Sequence, residues 1–103
     1  MYIQVTTTTP TKKNAEEIAG FVVNRALGAC AQVLGPIESR YVWKGKYTVQ
    51  KEWVCLIKTK RSSYKKLEEA IRKMHKYEVP EIIAVKIEEG NREYFKWVDD
   101  SLR

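Results

Sequence analysis

The feature that most constrains this chain is a pair of long strand-like segments on either side of one glycine. Ala29 to Trp43 has strand composition, with Gly35-Pro36 marking a bulge or bend, and after a turn around Gly45 the chain returns as Tyr47 to Thr59. Ala29 to Lys44 alone is sixteen residues, about 50 Å when extended at roughly 3.3 Å per residue. A compact chain of this length has a radius of gyration of about 13 Å, hence a diameter of roughly 35 Å. With 103 residues there is room for a single domain, 1–103, and its core cannot reach from the root of such a hairpin to its tip. Tyr41, Trp43 and Tyr47 sit at the far end, so they are expected to pack on another subunit. Such packing also hides strand edges that would otherwise be pairing templates.

The rest of the pattern fits around that hairpin. Tyr2 to Thr8 alternates through Ile3 and Val5 and reads as a first strand. Thr9-Pro10-Thr11 offers a hydroxyl cap to a helix whose apolar positions are Ala15, Ile18, Ala19, Val22 and Ala26, with Gly28 as its stop. Ser62-Ser63 can cap a second helix bearing Tyr64, Leu67, Ile71 and Met74, and Pro80 stops the segment before it. Ile82 to Ile87 reads as a strand, and Asn91 caps a last helix with Tyr94, Phe95, Val98 and Leu102. The order β-α-β-β-α-β plus a C-terminal helix is the ferredoxin-like split βαβ arrangement, an α+β fold.

Charge and motifs exclude several functions. Nineteen Lys and Arg against thirteen Asp and Glu give +6, which invites a nucleic-acid partner. Yet the basic residues are scattered, with Glu16-Glu17, Glu68-Glu69 and Glu88-Glu89 interleaved, as on solvated faces. The strand Lys51-Glu52-Trp53-Val54-Cys55-Leu56-Ile57-Lys58 lacks the glycines of an RNA-recognition strand. Its two alternating faces are both apolar at the centre, as in a sheet covered on both sides. No nucleic acid is expected. No apolar run approaches a membrane span, and the first residues lack the basic and apolar regions of a secretory signal. A reduced, cytoplasmic chain is the expectation.

Enzymatic chemistry finds no motif: the five glycines form neither a P-loop nor a dinucleotide fingerprint, and no G-x-S-x-G is present. The single His75, at the end of the second helix, reads as a residue favoured there by the helix dipole, or as a metal ligand or acid/base helped by Glu78 or Tyr77. A closed zinc site needs about four ligands, so His75 would have to recruit Cys30, Cys55, carboxylates or other subunits. With a turn near Gly45, Cys55 would face roughly position 36 rather than Cys30. A disulfide is therefore not expected, and Cys55 reads as core.

Ala29-Cys30-Ala31-Gln32, Ile37-x-Ser39-x-Tyr41-x-Trp43-Lys44-Gly45-Lys46, Lys58-Thr59, His75-Lys76-Tyr77-Glu78-Val79-Pro80-Glu81-Ile82-Ile83, and Gly90 with Tyr94 and Trp97 run over nearly the whole chain. Together they resemble the CutA divalent-cation tolerance proteins. The resemblance implies a ferredoxin-like subunit in a tight homotrimer, similar in architecture to the PII signalling proteins, with the long hairpin forming intersubunit sheet. It implies a non-enzymatic function in metal tolerance, with no obligatory cofactor and copper as the foremost ion. In the family's proposed copper site, the cysteine position falls on Thr7 and the histidine pair on Met74 and His75, so one of three ligands remains. The metal candidates are His75, Cys30 and Glu78; Lys58, Tyr77 and Trp97 are expected to line an intersubunit ligand cleft. The alternative is a PII-like signalling or scaffold trimer that binds a small anionic ligand or a protein partner without metal.

Overall fold

A computed structural model describes residues 1–102. Four strands and three helices follow one another as β1 (Tyr2–Thr9), α1 (Lys12–Asn24), β2 (Cys30–Trp43), β3 (Lys46–Lys60), α2 (Tyr64–Met74), β4 (Ile82–Lys86) and α3 (Arg92–Ser101), with a 3-10 turn at Arg61–Ser63. The sheet order is β2-β3-β1-β4, and every neighbouring pair is antiparallel. This is the expected α+β, ferredoxin-like arrangement with an added C-terminal helix.

Local chemistry explains most of the boundaries. The Thr11 side chain accepts the Asn14 N–H at 3.0 Å, and Asn91 accepts the Tyr94 N–H at 2.7 Å, so α1 and α3 begin on side-chain caps. Ser63 sits at the start of α2 without capping it, because the preceding turn already holds its backbone in a helical conformation. Helix α1 stops at Asn24 rather than near Gly28. Ala26 takes a left-handed φ of 55°, and the N–H groups of Leu27 and Gly28 both return to the Val22 carbonyl. Gly28 answers a different demand: a Cβ there would lie 2.5 Å from Cγ2 of Ile57.

Helices α1 and α2 cover one face of the sheet, where Ile3, Val5, Ile18, Val22, Cys55, Ile57, Leu67 and Ile71 form the core. Cys55 is core as expected, and burial pushes its thiol up to about 11. Helix α3 lies against one end of the sheet: Phe95 stacks on Tyr2 with centroids 4.1 Å apart, and Asp99 accepts from the Tyr2 hydroxyl and pairs with Lys60. The expectation of a sheet covered on both faces is not met within one chain, since Leu34, Ile83 and Val85 are exposed.

The hairpin closes on a two-residue turn, Lys44-Gly45, with positive φ at both positions. Leu34 pairs with Val54 and Ile37 with Glu52, so Gly35 and Pro36, joined by a cis peptide, form the expected bulge opposite Trp53. The tighter turn and the bulge place Cys55 opposite Val33, not position 36. Cys30 lies opposite Lys58, and both cysteines are free thiols. Strand β1 follows β3 only as far as Trp53. Beyond it the hairpin stands out alone, and the molecule measures 45 × 25 × 22 Å.

Candidate functional site: the cleft at the hairpin root

Helix α2 ends where its chain turns towards the projecting hairpin. His75 leaves the helical conformation at ψ 140°. Its Nδ1 accepts the Tyr77 N–H at 3.1 Å, which leaves Nε2 to carry the proton and donate to the Thr8 carbonyl at 2.8 Å, with Thr7 Oγ1 at 3.1 Å. Burial lowers the His75 pKa; the Thr8 carbonyl and the Glu52 carboxylate oppose this more weakly. The neutral ring therefore has both nitrogens engaged. Buried Asn14 fastens the same segment from α1, donating to the Met74 carbonyl at 3.1 Å and accepting the Lys76 N–H at 3.2 Å.

So held, Tyr77 reaches the hairpin. Its hydroxyl donates to Glu52 at 2.7 Å and accepts from the Gln50 amide at 2.6 Å, and Ser39 donates to the other Glu52 oxygen at 2.6 Å. Tyr41 closes the chain by donating to the Gln50 carbonyl oxygen. Glu52 is only 5% exposed, yet both its oxygens accept a hydrogen bond, as a buried carboxylate requires. Burial, and then this carboxylate, drive the Tyr77 phenol far above its ordinary pKa, so it stays a donor at any physiological pH.

Outside this network opens a cleft of about 550 Å³ that takes in Glu52, Glu78, Glu81, Tyr77, Arg40 and Trp43. Three carboxylates face one guanidinium, which Glu38 already pairs at 2.8 Å. The balance is negative and rich in oxygen donors, a chemistry that favours hard cations.

The candidate residues named from sequence divide between two places. His75, Tyr77 and Glu78 gather at this root. Cys30 and Lys58 lie opposite each other on β2 and β3, level with Gln4 rather than Thr7. There Cys30 lies near the Tyr94 phenol, Lys58 donates to Gln32, and Trp97 packs near Tyr94 with centroids 5.6 Å apart. Among the described residues, no three His, Cys, Asp or Glu side chains form a group that could hold a metal ion. The set His75, Cys30 and Glu78 is therefore not assembled within one chain, because Cys30 joins the sheet at the α3 end while His75 is tied to the opposite end of β1. The copper-site positions Thr7 and His75 do meet, at 3.1 Å. Sequence reasoning missed Glu52, Ser39 and Gln50. The available signal was Glu52 itself, a carboxylate in register with Val54 and Leu56 on one face of an apolar strand.

Comparison with known proteins gives consistent matches. The family described as CutA1 divalent ion tolerance protein matches residues 3–101. The chain is 38% identical over 101 residues to Protein CutA 1, chloroplastic, of Oryza sativa, covering 98% of this chain and 57% of that relative's length. It is 37% identical over 94 residues to the divalent-cation tolerance protein CutA of Thermus thermophilus, covering 91% of each. The structure of the periplasmic divalent cation tolerance protein CutA of Archaeoglobus fulgidus superposes with a TM-score of 0.97 over 100% of both chains at 30% identity. The Xenopus laevis CutA homolog is similarly longer, the chain spanning 62% of it.

Proposed function

This chain belongs to the CutA1 family of divalent ion tolerance proteins, and from that premise we propose that it acts as a non-enzymatic, cytoplasmic homotrimer that binds divalent cations weakly at clefts between subunits. The observation that carries this reading is the acidic cleft at the hairpin root. Its carboxylates Glu78 and Glu81 stand beside a projecting strand pair whose aromatic tip has no cover in a single chain. In the trimer implied by the sequence resemblance, a neighbouring subunit packs on Tyr41, Trp43 and Tyr47. A site that uses His75, Cys30 and Glu78 together would draw them from adjacent chains, and the same holds for a ligand cleft of Lys58, Tyr77 and Trp97.

Weak binding follows from the donors. Carboxylates alone suit hard ions, whereas copper seeks imidazole or thiolate. His75 would have to surrender the Thr8 carbonyl or the Tyr77 N–H to serve as a ligand, which subtracts from its affinity. No helix among the described residues is long and apolar enough to cross a membrane.

Sedimentation at micromolar concentration tests the assembly: a trimer is expected, and a monomer would refute it. Titration with copper and with zinc tests the site. Affinity for copper is expected to fall in His75→Ala, and affinity for both ions in Glu78→Gln/Glu81→Gln. Unchanged copper affinity in His75→Ala removes that histidine from the site.

A further inference from the structure

A second cavity, on the other flank of α2, has the opposite electrostatic character. About 570 Å³ in volume, it lies between edge strand β4 and the first turn of α2. Arg61, Lys65 and Lys86 line it with the Ser62 hydroxyl, and no carboxylate does. None of the three cations has an ion-pair partner among the described residues. Glu68, one turn beyond Lys65, is taken by Arg72 at 3.1 Å.

The fold fixes the cationic groups around the groove. The Arg61 N–H donates to the Met1 carbonyl at 2.9 Å, which sets Arg61 beside the start of β1. Lys86 pairs across the sheet with Ile3, and Lys65 rises from the first turn of α2. Between them the floor is apolar: Ile3, Ala84 and Val85, with Tyr64 closing one side. Three unpaired cations and a hydroxyl around an apolar floor fit a doubly charged phosphate group joined to a planar or apolar body. Arginine and lysine bind phosphate by charge-assisted hydrogen bonds, and the volume lies within the range of small-ligand pockets.

We propose that this groove binds a small phosphorylated molecule, with Arg61, Ser62, Lys65 and Lys86 on the phosphate and Ile3, Val85 and Tyr64 against the remainder. The groove shares no lining residue with the acidic cleft, so the proposal stands apart from the metal reading.

Calorimetric titration of the full chain with inorganic pyrophosphate and with ADP provides the test. Saturable binding of one ADP per chain is expected, tighter than pyrophosphate because only ADP uses the apolar floor. Arg61→Ala/Lys65→Ala/Lys86→Ala should weaken both by roughly tenfold or more, and Lys12→Ala/Lys13→Ala, on α1, should leave both within about twofold. Absence of saturable binding, an unaffected triple variant, or equal weakening in the α1 control would overturn the proposal. Amide shift mapping on the unaltered chain guards against a misfolded variant: ADP-induced shifts at Arg61–Lys65 and Lys86 support the groove, and shifts confined to the Glu52 cleft refute it.

Discussion

Strands β2 and β3 are continuous, yet their two halves live in different surroundings. At the root, Cys55 and Ile57 are wholly buried beneath α1 and α2. At the tip, past the last residue of β1, Val42 is 67% exposed and Tyr47 65% exposed. The β2–β3 ladder runs through both halves, but at the root β3 also pairs with β1 and a helix layer covers the sheet, whereas the tip has neither. The root owes its stability to this chain alone. The tip displays side chains of core type with nothing of its own chain to bury them, and a two-stranded ribbon is marginal in water without a covering layer.

Truncating one side chain in each half gives the largest expected contrast. Leu67→Ala leaves a cavity under the root and should cost about 2–5 kcal/mol in denaturant unfolding. Tyr47→Ala at the tip should change the stability of a dissociated chain by no more than about 0.5 kcal/mol. If a neighbour covers the tip, the same substitution should make unfolding more dependent on protein concentration. A Tyr47→Ala loss as large as that of Leu67→Ala in a proven monomer would break the distinction.

Two root substitutions sharpen it on a smaller scale. Gly28→Ala forces a methyl to 2.5 Å from Ile57 Cγ2, and overpacking of this kind costs about 1–3 kcal/mol. If Gly28 were only a helix stop, that cost would be absent. Tyr77→Phe deprives buried Glu52 of a donor and should cost about 1–3 kcal/mol, the range for an orphaned buried acceptor. Ser39→Ala should act in the same direction through the other oxygen, and the two substitutions should couple in a double-mutant cycle because both address one carboxylate.

The sequence made the fold legible wherever periodicity and turn chemistry agreed. The alternation of Ile3 and Val5, the caps at Thr11 and Asn91, and the bulge at Gly35-Pro36 each come from local rules. Register was harder: the turn proved one pairing tighter than a centre at Gly45 implies, and together with the bulge this moved Cys55 opposite Val33. Ala26 escaped because a left-handed non-glycine leaves little local trace. The site was half visible. His75, Tyr77 and Glu78 are contiguous and could be grouped by eye, but Glu52 lies 25 positions from its Tyr77 partner, a pairing that only the tertiary fold creates. Cys30 and His75 lie apart within one chain, a separation that sequence distance could not show because it carries no information about which end of a strand a residue occupies.

The smallest effect concerns the joint between the two regions, where His75 holds the α2 end to β1. Its folded-state pKa is lowered below the ordinary 6.5 by burial, so the unfolded chain takes up the proton more readily. Stability from this group is complete above about pH 6.5, and it declines as pH falls from there towards the folded value. Protonation at Nδ1 also ends its acceptance of the Tyr77 N–H, which loosens the segment that carries Tyr77 to Glu52. His75→Gln should therefore lower stability at pH 7.5 and flatten the slope of unfolding free energy between pH 7 and pH 5, while leaving the steeper carboxylate-driven loss at lower pH in place. Denaturant unfolding of both proteins at half-unit pH steps measures the difference. Equal slopes for the two would mean that the ring is hydrated in the folded chain, and that the joint is held by Asn14 alone.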